Sequence, residues 1–270
     1  MSNREDTAVL ATDMDGTFIP LEGSAQNQRD LRVLEQELKR HKIALMYVTG
    51  RHLELVLEVI QQEDLPRPPW LICDVGASIY QLDSSSRYVP LEAYVQQLQK
   101  LLDGWTRQEL VDRLSPIGEI RLQETEKQTP FKISYYCDAP QLESLAMHVR
   151  QRLSELSAPF NLIASVDPFS GSGLIDLLPT GVSKAYALDW WVKHERMSPQ
   201  SIVFAGDSGN DLAALTAGYR SIVVGNADPS VVAAAKRSHL DAGWIKRLAT
   251  PTGHATTGVL EGLRHFLNQH

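Results

Sequence analysis

The chain has 270 residues, 43% of them hydrophobic and 22% charged, a composition that excludes a disordered chain and leaves room for one large domain or two modest ones. Its net charge of −7 excludes an extended nucleic-acid surface, so an anionic ligand would need local basic residues. No apolar run reaches the roughly 18 residues of a bilayer span, and the acidic residues 1–6 lack the apolar segment of a signal peptide, so the reading is a cytoplasmic protein with no membrane contact.

In chain order, the apolar run 9–12 reads as a buried strand, 27–40 as a helix, 43–48 as a strand, 52–63 as a helix and 70–73 as a strand. This alternation predicts a parallel sheet covered by helices, with ligands at the carboxyl ends of its strands. The rhythm changes after about residue 85. Helices at 94–102 and 107–114 precede strands at 120–124 and 132–137, then a helix at 141–156 and strands at 160–166 and 174–178. Neighbouring strands of this kind predict an antiparallel sheet. Alternation resumes with a helix at 184–195, a strand at 202–205, a helix at 210–217 and a strand at 221–224. The expected architecture is therefore α/β, a Rossmann-like parallel-sheet core (1–85 and 180–270) with an inserted α+β domain (86–179). Cys73 and Cys137 fall in strand-like surroundings with no metal-binding or disulfide spacing and read as buried thiols.

The chemistry gathers at strand ends. Asp13-Met14-Asp15-Gly16-Thr17 follows the first strand, and side chains alternate along a strand, so Asp13 and Asp15 are expected to leave it pointing the same way. Two such carboxylates repel, which calls for a cation between them or for one raised pKa. Asp and Gly after a strand are also ordinary turn residues. A second acidic group, Gly206-Asp207-Ser208-Gly209-Asn210-Asp211, again follows an apolar strand, and turn or helix-start chemistry accounts for only one of its acids. Oxygen donors without nitrogen or sulfur partners suit Mg²⁺, which is often completed by a substrate phosphate. Thr49, the backbone N–H groups at Gly50 and the ammonium of Lys184 supply the donors that phosphate oxygens need.

These four positions, Asp13-Met14-Asp15-Gly16-Thr17, Thr49-Gly50-Arg51, Lys184 and Gly206 to Asp211, resemble in order and context the haloacid dehalogenase superfamily over the whole chain. The insertion looks like the superfamily's second type of cap. Asp74-Val75-Gly76-Ala77-Ser78-Ile79-Tyr80, Pro130 to Tyr136, Asp176-Leu177-Leu178-Pro179 and Gly225-Asn226-Ala227 look most like sucrose-phosphate phosphatases, although Gly16 departs from the Asn associated with that position there. The resemblance implies an Mg²⁺-dependent phosphatase that passes through an aspartyl phosphate. Asp13 is then the nucleophile and Asp15 the acid and base. Thr49, Gly50, Lys184 and Asn210 hold phosphate, and Asp13, Asp15 (through its carbonyl), Asp207 and Asp211 surround the metal. Sugar choice is assigned to the insertion, with Lys132, Ser134, Tyr135 and Asp176 as candidates beside the reading of an ordinary half-exposed strand. The expected substrate is sucrose 6-phosphate, with mannosylfructose, glucosylglycerol or mannosylglycerate phosphate as alternatives. A phosphosugar mutase would need clustered arginines for a second phosphate, which the insertion's motif lacks. A partner that docks to a sugar-phosphate synthase would not need the intact acids, but docking is compatible with catalysis.

Overall fold

The first apolar run forms β1 (Val9–Thr12), all of it buried. After it come α1 (Ala25–His41), β2 (Ala44–Val48), α2 (Leu53–Gln62), β3 (Trp70–Cys73), β4 (Ser78–Leu82) and β5 (Tyr88–Pro90). These elements belong to a computed structural model that describes residues 8–167 and 170–268; the N-terminal stretch 1–6 read above lies outside the described residues. Helix α1 begins where Ser24 Oγ accepts a hydrogen bond from the Asn27 N–H (3.2 Å) and stops where Lys42 turns left-handed at φ 56°. Its buried Leu31, Leu34 and Leu38 recur at helical spacing and pack in one hydrophobic cluster with Leu10, Met14 and Phe18. Burying side chains such as Phe18, Met14 and Leu34 contributes about 1.5–3 kcal/mol each, and Phe18 meets the Tyr47 ring edge to face at 5.1 Å.

The middle of the chain holds α3 (Glu92–Leu101), α4 (Arg107–Leu114), β6 (Arg121–Leu122), β7 (Ile133–Cys137), α5 (Leu142–Glu155), β8 (Phe160–Val166) and β9 (Gly173–Pro179). Then come α6 (Lys184–His194), β10 (Ile202–Gly206), α7 (Leu212–Leu215), β11 (Arg220–Val223), α8 (Pro229–Asp241), β12 (Leu248–Ala249) and α9 (Ala255–Leu267). The chain divides into two compact units, one running to Val89 and resuming at Ser183, the other Pro90–Val182.

The first unit carries an eight-stranded sheet in the order β12-β11-β10-β1-β2-β3-β4-β5. Its strands from β12 to β3 run parallel, while β4 returns antiparallel to β3. From the neighbouring strands β1 and β10 the chain goes on in opposite directions, to β2 and to β11, which makes their carboxyl ends the switch point where ligands of such sheets bind. The second unit is a four-stranded antiparallel sheet, β6-β7-β9-β8, with α5 packed on β8 and β9. Both cysteines are buried, and neither forms a disulfide. No helix among the described residues is long and apolar enough to cross a membrane.

Candidate active site

Beyond β1 the backbone makes one wide turn, Met14–Phe18, closed by the Ile19 N–H on the Met14 carbonyl (2.9 Å). Asp13 leaves the strand extended, its N–H bound to the Ala205 carbonyl of β10 (2.9 Å), and its side chain is buried. Gly16 at φ 70° reverses the path. The turn therefore separates the two acids that strand alternation would have aimed together. The Asp15 carboxylate is half exposed and lies against Arg51, with Nε on Oδ2 (2.8 Å) and Nη2 on Oδ1 (2.6 Å). The carboxylates that do converge are Asp13, Asp207 and Asp211, each offering one oxygen within 4.8 Å of the others.

Lys184 holds this cluster. It is the first residue of α6, whose start is fixed by Ser183 Oγ accepting from the Tyr186 N–H (3.1 Å). Its fully buried ammonium donates to Asp13 Oδ1 and to Asp211 Oδ1, both at 2.7 Å. Burial alone would favour the neutral amine, but the charges of Asp13 and Asp211 outweigh it and hold the lysine protonated, with its pKa raised. Asp13 is shifted upward, first by burial and then by Asp211, against the pull of Lys184. Burial and Asp211 push Asp207 up to about 6. When all are ionised, three carboxylates face one ammonium, and the surplus negative charge asks for a cation.

The donors fit a hard divalent ion. Asp211 Oδ2 is already engaged by the N–H groups of Asp207 (3.2 Å) and Ser208 (3.1 Å) and by Ser208 Oγ (2.9 Å), so this residue acts as a brace. Asp207 Oδ1 accepts from Thr17 Oγ1 (3.0 Å), which leaves Asp13 Oδ2 and Asp207 Oδ2 for the ion. Room for it depends on Gly16, because a Cβ there would stand 2.4 Å from Asp207 Oδ2. An all-oxygen set of this kind suits Mg²⁺. Asp15 could join only through its main chain, since its carboxylate is turned to Arg51.

The remaining phosphate candidates lie at neighbouring strand ends. Thr49 is buried after β2 and accepts from the Arg51 N–H (3.2 Å), with Gly50 between them, while Asn210 is exposed after β10 with its Oδ1 2.9 Å from Ser208 Oγ. Sequence reasoning gave no role to Thr17 or Asn226. Asn226 donates to the Gly16 carbonyl (2.7 Å) and accepts from the Ala255 N–H (2.7 Å), tying the Asp13 turn to the start of α9. Both residues stand inside motifs quoted above, and a side-chain donor beside a strand-end glycine is the only signal they carry.

In the inserted unit, Ser134 on β7 pairs in register with Asp176 on β9, and Ser134 Oγ donates to Asp176 Oδ1 at 2.5 Å. Lys132 Nζ lies 3.9 Å from the same oxygen, so three of the four candidates there form one cluster, Lys132 and Ser134 buried and Asp176 partly so. Tyr135 is not part of it. Strand alternation sends its ring to the other face with Ile175, where burial pushes its pKa up to about 12 and its hydroxyl finds no partner among the described residues.

Comparison with known proteins shows the family and the fold. The family model for sucrose-6F-phosphate phosphohydrolase matches residues 6–267. A protein of Nitrosococcus oceani assigned only to the HAD-like hydrolases is 35% identical over 266 residues, covering 96% of this chain and 71% of its own. The mannosylfructose-phosphate phosphatase of Agrobacterium fabrum is 27% identical over 96% of both chains. Among solved structures, the sucrose-phosphatase of Synechocystis sp. PCC6803 in complex with sucrose and phosphate shares the fold, with a TM-score of 0.71 at 24% identity, covering 97% of this chain and 98% of that one. With a buried lysine braced between acids at adjoining strand ends and a family match over nearly its whole length, the chain belongs to the sucrose-6F-phosphate phosphohydrolase family of HAD-like hydrolases.

Proposed function

We propose that this sugar-phosphate phosphatase hydrolyses sucrose 6-phosphate to sucrose and phosphate in two steps. The observation that carries the reading is the buried Asp13–Lys184–Asp211 chain beside Asp207, a nucleophile held next to fixed positive charge. Asp13 attacks phosphorus with one carboxylate oxygen, the bond from phosphorus to the sugar oxygen breaks, and Asp15 gives that oxygen a proton. Asp15 then takes a proton from water, whose oxygen attacks phosphorus and breaks its bond to Asp13, releasing phosphate. Lys184 stabilises the phosphoryl oxygens throughout, with Thr49, the Gly50 backbone and Asn210 as further donors. A divalent cation on Asp13 and Asp207 would supply charge neutralisation at those oxygens and keep Asp13 ionised.

Phosphate release from sucrose 6-phosphate, mannosylfructose phosphate, glucosylglycerol phosphate, mannosylglycerate phosphate and simple hexose phosphates, with and without Mg²⁺, tests the reading. Preference for sucrose 6-phosphate and loss of turnover in Asp13→Asn are expected. Equal weak turnover of all substrates would remove the disaccharide assignment, and an active Asp13→Asn would remove the nucleophile. The Agrobacterium relative, similar over 96% of its length, favours mannosylfructose phosphate as the second reading.

A further inference from the structure

Arg51 follows the phosphate-donor residues Thr49 and Gly50, yet its side chain is spent on the acid at position 15. Its guanidinium meets the Asp15 carboxylate side by side, at 2.8 Å from Nε to Oδ2 and 2.6 Å from Nη2 to Oδ1. Such a two-point contact fixes the plane and the rotamer of a carboxylate, which a single hydrogen bond or a lysine cannot do. It uses one lone pair on each oxygen and leaves the other free for a proton. Asp15 needs the restraint, because it sits on a turn with its carboxylate 54% exposed and with Arg51 as its one ion-pair partner among the described residues.

The main chain that carries this guanidinium is itself held on both sides. The Arg51 N–H donates to Thr49 Oγ1 (3.2 Å), and its carbonyl accepts from the Asp74 N–H (2.9 Å). The Thr49 carbonyl accepts from the Val75 N–H (3.1 Å). Asp74 and Val75 both take left-handed backbone angles, φ 54° and 57°, to present those two N–H groups. A left-handed β-branched residue is strained, and strain of this kind persists where the surroundings over-determine it. The loop after β3 thus clamps the loop after β2, and the clamp ends at Asp15.

We propose that Arg51 is the positioning residue for proton transfer, locking the Asp15 carboxylate toward the sugar oxygen that leaves. The proposal rests on Asp15 as acid and base in the reading above. It separates from phosphate binding by the leaving group: a sugar alkoxide needs a proton as the phosphorus–oxygen bond breaks, whereas p-nitrophenolate does not.

The test is single-turnover release of the leaving group by excess enzyme, comparing the sugar phosphate turned over fastest with p-nitrophenyl phosphate. A positioned acid contributes roughly 10²–10⁴-fold, so Arg51→Ala is expected to slow sugar release by about 30-fold or more and p-nitrophenolate release by no more than about 3-fold. Arg51→Lys should recover little of this, because an ammonium lacks the fork. In an Asp15→Asn background Arg51→Ala should cost nothing further, and the Kd for inorganic phosphate should stay unchanged. Equal slowing of both substrates, a full extra loss on Asp15→Asn, or weakened phosphate binding would each overturn the proposal and place Arg51 on the phosphoryl group. Activity retained in Asp13→Asn, or the same loss on both leaving groups in Asp15→Asn, would instead overturn the reading beneath it.

Discussion

Lys184 carries the charge balance of the Asp13–Asp207–Asp211 cluster, and its two 2.7 Å contacts leave the acids around it only partly compensated. The consequence is a stability that depends on pH and metal together. Asp207 is raised to about 6, and Asp13 is raised by burial, whereas in the unfolded chain both titrate near the ordinary carboxylate value of about 3.9. A carboxyl whose folded pKa is raised binds its proton more tightly in the native state. Its contribution to stability is whole below the unfolded pKa and is lost as pH rises through the folded one. Surface carboxylates lowered by partners, such as Glu37 beside Arg264, titrate below this window and do not mask it. In EDTA, Tm should therefore fall between about pH 5 and pH 8. Mg²⁺ competes with those protons, so it should raise Tm more at pH 7.5 than at pH 5.5. Thermal melts with and without Mg²⁺ across that range check this, and Asp207→Asn should flatten both trends.

The elements around the site show where strand and helix patterns suffice and where they fail. Helix 107–114 and strands 9–12, 70–73 and 160–166 coincide with α4, β1, β3 and β8, because each combines an unbroken apolar or amphipathic pattern with clear turn residues at its ends. The reading at 210–217 contracts to a short turn, Gly209–Asp211, and the brief α7, since the first positions are spent bracing Asp211. β4 and β5 carry the core sheet past β3 through a tight return at 74–76, which sequence periodicity had no means to separate from the strand before it. Helix α9 went unread because Gly258 and Gly262, poor helix formers, interrupt its pattern. The return after β3 is also where an element touches the candidate site. Gly76 at φ 100° lies so close to the start of α6 that a Cβ would stand 2.2 Å from the Ser183 carbonyl, one residue from Lys184. Gly76→Ala combines that clash with a strained φ and should destabilise the protein by about 2–4 kcal/mol. Denaturant unfolding measures the loss. Where the variant is still folded, kcat should fall with it, since the carbonyl cannot retreat without moving the lysine.

At the scale of the molecule, the chain divides into two compact units that were legible to different degrees. The unit with the eight-stranded sheet announced itself because strand-end acids are costly without a role, and the order β10-β1-β2 sets their three motifs side by side. The inserted unit, Pro90–Val182 against an expectation of 86–179, offers no such electrostatic signature. What it does hold is the Lys132–Ser134–Asp176 cluster, in which a lysine and a hydroxyl converge on one carboxylate oxygen. Charged groups buried together without a structural need are costly, and a sugar offers hydroxyls of matching polarity. If the cluster selects the sugar, Asp176→Asn should change kcat/KM for a disaccharide phosphate relative to a hexose phosphate by roughly 10–100-fold, the range expected when a site loses a hydrogen bond to one substrate and not to the other. Steady-state rates on both substrates, with circular dichroism to confirm a folded unit, decide the matter. A lowered ratio in a folded variant assigns the choice of sugar to the insertion. An unchanged ratio in a folded variant makes the cluster a packing device, and specificity must then come from the unit that carries the proposed nucleophile.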